Sequence, residues 1–75
     1  MNGYKVGINC TQHNSTPYRR WIKTYDYIRA DSCDDAKKLM IHEWEQAGCI
    51  FSTDMWAGDK EIVFNVDYVK EVDAN

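Results

Sequence analysis

Three cysteines and two histidines are the residues of this 75-residue chain best suited to hold a metal or attack an electrophile. Cys10 and His13 stand three apart, a spacing at which a thiolate and an imidazole can share one ion. Zinc sites draw on two such close pairs to fix tetrahedral geometry, whereas Cys33, His42 and Cys49 are scattered singly. No metal site and no cofactor are therefore expected. Nucleophilic catalysis needs a base within hydrogen-bond reach of a Cys, Ser or Thr, and a third group that orients the base. His13 falls in a polar run and His42 on the solvent side of a helix, so no catalytic residue is assigned and an enzyme is not expected. So small a domain also leaves little room for a pocket of ordinary ligand size.

Binding chemistry is more visible. The run from Tyr18 to Arg29 interleaves rings with cations. In a strand of period two, Trp21, Tyr25 and Tyr27 share a side with Arg19, Lys23 and Arg29, while Ile22, Thr24, Ile28 and Ala30 share the other with Asp26. Single-stranded nucleic acid is held by flat rings on which bases stack, beside cations that follow the phosphates. Arg19, Arg20, Trp21, Lys23, Tyr25 and Tyr27 are the candidates for such a site. The plainer reading is that the rings pack on neighbouring strands with Arg and Lys stems lying over them. A net charge of -3 also argues against a dedicated nucleic-acid binder.

That total hides an asymmetry, +4 over residues 1–30 and -6 over residues 43–75. The acidic half could steer the chain toward a basic partner, such as a protein whose own positive groove handles nucleic acid. Asp54, Asp59 and Glu61 lie there beside Trp56 and Val63, which together with Ile41 read as apolar groups pointing away from the core. An apolar anchor within a charged rim is how small binding proteins gain most of their affinity. A non-enzymatic protein binder contacting its partner through Asp54, Trp56, Asp59, Glu61 and Val63 is thus the leading expectation, with the single-strand binder as the alternative.

The elements that must position these groups follow from periodicity. Tyr4, Val6, Ile8 and Cys10 alternate with polar or small residues, a half-buried strand. A polar loop ending at Pro17 leads into the second strand, whose two half-apolar faces fit either a central strand or one that switches faces at a bulge. Ser32-Cys33-Asp34-Asp35 matches a capping box, and Gly48 suits the residue just past a helix end. Between them, Cys33, Ala36, Leu39, Met40, Trp44 and Ala47 form the apolar stripe. Cys49 to Trp56 reads as a third strand and Ala57-Gly58-Asp59-Lys60 as a tight turn. The fourth strand sends Ile62, Phe64, Val66 and Tyr68 to the core; from Asp67 on, either strand or a short helical turn is compatible, and residues 73–75 should fray. The expected fold is α+β, a single two-layer ββαββ domain over residues 1–75 with one helix on an antiparallel sheet and the other sheet face left open.

Length allows one domain, and 44% hydrophobic residues with a single proline favour folding over disorder. An odd cysteine count and an N-terminus that begins a strand rather than an apolar leader point to the cytoplasm. No run approaches the 18 apolar residues of a membrane span, and a monomer or a homodimer sharing a sheet edge is compatible with the pattern. The strand end, cap and helix start Ile28-Arg29-Ala30-Asp31-Ser32-Cys33-Asp34-Asp35-Ala36-Lys37-Lys38 resembles that of short phage proteins. The overall plan is similar to that of small phage-encoded inhibitors, several anti-CRISPR proteins among them. The resemblance implies blockade of a host nucleic-acid-handling complex in the host cytoplasm, and it carries over no binding residue.

Overall fold

Alternation along the first strand decides how the chain is layered. The computed structural model describes residues 2–12, 19–53 and 62–73. Strand β1 (Asn2–Gln12) runs down the middle of a four-stranded sheet, with β2 (Arg19–Ala30) on one flank, β4 (Ile62–Asp73) on the other and β3 (Ile50–Phe51) outside β4. Tyr4, Val6, Ile8 and Cys10 all face α1 (Cys33–Gln46) and are buried with Ile28, Ala30, Ala36, Met40 and Phe64. Each fully buried large apolar side chain in this cluster contributes about 1.5–3 kcal/mol.

The fold is α+β with one helix on a sheet, but the sheet is mixed rather than antiparallel. Strands β2 and β4 pair antiparallel to β1, whereas β3 pairs parallel to β4, with Ile50 opposite Val63 and Phe51 opposite Phe64. The third strand, expected over residues 49 to 56, has two residues among those described. The tight turn at residues 57–60 lies outside the described residues. The final segment is strand, not helical turn, from Ile62 through Asp73; residues 74–75 lie outside the described residues.

Helix α1 begins as its sequence dictates. Ser32 is extended, and its hydroxyl accepts a hydrogen bond from the Asp35 amide at 3.1 Å, satisfying one of the helix's free donors. Asp34 and Asp35 lie in the first turn, at the positive end of the dipole. At the other end Gly48 has φ +93°, a conformation open to glycine without a side-chain penalty, and its amide bonds back to the Glu45 carbonyl.

The buried stripe of the helix is narrower than its periodicity suggests. Ala36 and Met40 are buried and Trp44 is half-buried, but Cys33, Leu39 and Ala47 stay exposed. Ile41, expected to point away, packs partly buried against the core. Fourteen residues make a helix about 21 Å long, against strands of about 40 Å. It covers roughly half the length of a sheet belonging to a molecule 44 Å in its longest dimension, and the stripe narrows accordingly.

Candidate functional site

Three bulges, one in β2 and two in β4, assign the surface residues to their faces. Along β2 the pairing with β1 passes from Ile28 opposite Tyr4 to Tyr25 opposite Val6, so Asp26 and Tyr27 together oppose Lys5. The extra residue reverses the alternation. Arg19, Trp21, Lys23 and Tyr25 therefore lie on the helix side with Ile28 and Ala30, while Arg20, Ile22, Thr24, Tyr27 and Arg29 lie on the helix-free side. The six residues expected to form one basic aromatic site are thus split four to two: the bulge carries Tyr27 to the helix-free side, and ordinary alternation places Arg20 there.

On the helix side Tyr25 packs against the core, while Trp21 stays exposed. The Trp44 indole donates to the Tyr25 hydroxyl at 3.2 Å and packs on Phe64 in a tilted arrangement, with ring centroids 5.1 Å apart and planes at 41°. The Lys23 ammonium lies 5.7 Å from the Tyr25 ring centre, and the Arg19 guanidinium 5.8 Å from that of Trp21, both within cation–π range. A groove of about 340 Å³ opens between Tyr25 and the helix end, lined by Glu43, Trp44, Ala47 and Cys49. Glu43 is exposed on the rim of this groove. A second cavity of about 220 Å³ is lined by Asn9, Cys10, Arg20, Trp21 and Ile22.

The helix-free face is organised around two glycines of the central strand. A β-carbon at Gly3 would run into the Tyr27 ring, and one at Gly7 into the Tyr68 ring. One ring therefore reaches in from β2 and the other from β4, each resting against β1 where there is no side chain. Tyr68 was expected in the core with Ile62, Phe64 and Val66. The register with β1 skips Asp67, from Val66 opposite Ile8 to Tyr68 opposite Gly7, and this bulge turns Tyr68 outward. Tyr27 and Tyr68 remain 51% and 37% exposed, and Ile22 60%.

Four cations reach this face. Register brings Lys5, Arg20, Arg29 and Lys70 to it, while the acidic Asp26 opposes Lys5 together with Tyr27 and Asp67 stands in the bulge beside Tyr68. Lys5 and Lys70 are direct cross-strand partners and lie between the two glycine positions. Beyond Gly7 the face holds the partners Asn9 and Asn65, and the buried Asn65 Oδ1 has no hydrogen-bond partner among the described residues. The face closes at that end, where Thr11 and Val63 are buried.

The expected protein contacts fare differently. Asp54, Trp56, Asp59 and Glu61 lie outside the described residues, as does His13. Val63 is 0% exposed, so it is not the surface anchor its alternation suggested; both of its neighbouring strands, β1 and β3, pair at its position. Reasoning from sequence missed Gly3, Lys5, Gly7, Tyr68 and Lys70. The visible signal was the pair of glycines four apart on one side of an otherwise bulky strand.

Among the cysteines, Cys10 is buried and its thiol approaches the Ile8 carbonyl at 3.7 Å, while Cys33, expected in the core, is exposed. Burial, reinforced by the nearby Cys49, pushes the Cys10 thiol from an ordinary value of about 9 up to about 11, and burial pushes Cys49 up as well. The folded chain then holds these protons more tightly than the unfolded chain, so their contribution is present below about pH 9 and is lost as pH rises toward about 11. Melting curves should fall over that interval, and less steeply for Cys10→Ala; equal slopes would contradict the shift. At neutral pH, mass-mapped alkylation should label Cys33 well before Cys10.

Among the described residues, no three His, Cys, Asp or Glu side chains come together as a metal site, and no helix is long and apolar enough to cross a membrane. No protein-family model, curated protein or solved structure matches the chain.

Proposed function

We propose that the chain is a non-enzymatic binding protein that acts by occupying a partner with the helix-free face of its sheet. One observation carries this reading. In a chain of net charge -3, that face gathers four cations around exposed Ile22, Tyr27 and Tyr68, and exposed rings with cations are enriched at recognition surfaces. A non-catalytic role is supported by a Cys10 thiol that is buried and held protonated at neutral pH, and by His42, which stands exposed on the helix.

In this role the protein works by obstruction, as an inhibitor or adaptor. Blocking a complex that handles nucleic acid, as the resemblance to small phage-encoded inhibitors implies, is one form of the same function. A protein partner met through the acidic segment containing Asp54, Trp56, Asp59 and Glu61 would add a second contact surface to the sheet face.

Immobilised wild-type chain, exposed to cell lysate with and without nuclease treatment, should retain material that an Arg29→Glu, Lys70→Glu double variant loses. A Glu43→Gln variant, altered on the helix side, should retain it. Equal retention by the wild type and the double variant would overturn the assignment of function to this face.

A further inference from the structure

Resting on that reading, we infer that the occupant of the helix-free face is a single-stranded nucleic acid, with one base on Tyr27, another on Tyr68 and the intervening phosphates over Lys5 and Lys70. Gly3 and Gly7 are four residues apart on a regular strand, so the two rings settle against β1 at positions about 13 Å apart. That separation is too wide for one base to touch both rings, and it suits two bases of an extended strand. Each ring is supported from below by a glycine position and keeps substantial exposure, which is the arrangement base stacking requires.

The cations between the rings give the second argument. Lys5 and Lys70 face each other directly across β1 and β4. Like charges in that position destabilise a sheet, and an anion set between them removes the repulsion. A phosphate backbone joining two stacked bases passes over this point. Arg29, opposite Gly3, and Arg20, opposite Thr11, extend the positive track toward both ends. An acidic peptide would satisfy the lysine pair but would leave the two rings without flat partners, so the combination favours nucleic acid. The carboxylates of α1 lie on the other layer, where charges beyond a Debye length of about 8–10 Å are largely screened, and the four cations of the face outnumber the bulge carboxylates Asp26 and Asp67.

Fluorescence anisotropy with labelled oligo(U) and oligo(dT) of about 12 nucleotides tests the inference. Binding is expected at about 50 mM salt, weakening on a log–log plot with a slope of roughly -2 to -3, as three or four neutralised phosphates require. Tyr27→Ala and Tyr68→Ala should each weaken binding roughly fivefold to a hundredfold, whereas Tyr68→Phe should bind as wild type does. A Lys5→Gln, Lys70→Gln double change should flatten the slope by about 1.4. Trp21→Ala, on the helix side, should leave affinity within about twofold, and circular dichroism of every variant checks folding. Absence of binding to both oligonucleotides, or binding indifferent to Tyr27 and Tyr68, overturns the inference. Nuclease-resistant retention of a protein by the same face would then leave the binding function standing with a different occupant, while loss of both results would remove the function and the inference together.

Discussion

Phe64→Ala is expected to remove most of the stability of this protein, about 3–5 kcal/mol. A chain of 75 residues has roughly 4–11 kcal/mol in total, so the variant should be partly unfolded at physiological temperature. Phe64 is fully buried on β4, where the Trp44 ring lies 5.1 Å away from the helix layer and Phe51 approaches at 5.6 Å from β3. It is the residue through which the helix, the central strands and the short parallel strand meet. The Phe64 carbonyl also accepts the Ser52 amide at 2.8 Å, tying the exit of β3 to the same point. Thermal unfolding should show a fall in Tm of more than about 12 °C, since each kcal/mol shifts a domain of this size by about 4–8 °C. Tyr25→Phe, which removes only the hydroxyl that accepts from Trp44, should cost about 1 kcal/mol. A Phe64→Ala melt within a few degrees of wild type would mean that the core is centred elsewhere.

The contrast between these substitutions shows which parts of the architecture are legible in the residues. A helix bounded by Ser32 and Gly48 can be read directly, because a hydroxyl that accepts the Asp35 amide and a residue at φ +93° are local requirements with local signatures. The alternation of β1 is equally plain, because that strand has neighbours on both sides and no bulge of its own. Bulges are harder, since an extra residue changes the face of everything after it while leaving composition unaltered. At Asp26–Tyr27 the two half-apolar faces of β2 betray the switch, although its position cannot be read from them. At Asp67 nothing does, because Tyr68 is as acceptable in a core as on a surface, and the partner that draws it outward is an absent side chain on another strand. The parallel pairing of β3 depends on two residue pairs, too few to leave a periodic trace.

Charge follows the same logic. A total of -3 describes the chain as it would migrate in a field, not as a ligand meets it. Folding redistributes the signs, although neither layer holds one sign alone: Lys37 and Lys38 sit on the helix, and Asp26, Asp67 and Glu71 on the sheet. Acidic Asp34, Asp35, Glu43 and Glu45 ride on the helix, while Lys5, Arg29 and Lys70 are brought together on the opposite face from three different strands. Residues 65 positions apart in sequence, Lys5 and Lys70, become direct neighbours, so the split of charge between the two halves of the sequence does not survive folding as two poles.

Gly7→Ala should separate a structural role for the Tyr68 ring from a decorative one. Gly7 has no positive φ, which among the described residues belongs to Gly48 alone, so alanine is compatible with the backbone and its helix-free environment is the only obstacle. The added methyl collides with the Tyr68 ring, and either the ring swings into solvent or the strands part. A loss of about 1–3 kcal/mol is expected from such overpacking. If the ring is the sole cause, Gly7→Ala made in a Tyr68→Ala background should be neutral or stabilising, because alanine is favoured over glycine in a strand by about 0.5–1 kcal/mol. The double-mutant cycle should therefore show a coupling of about 1–4 kcal/mol, read from urea denaturation of the four proteins. Effects that add to within about 0.5 kcal/mol would show that the ring does not rest on Gly7 in solution, and the aromatic platform of the helix-free face would lose one of its two supports.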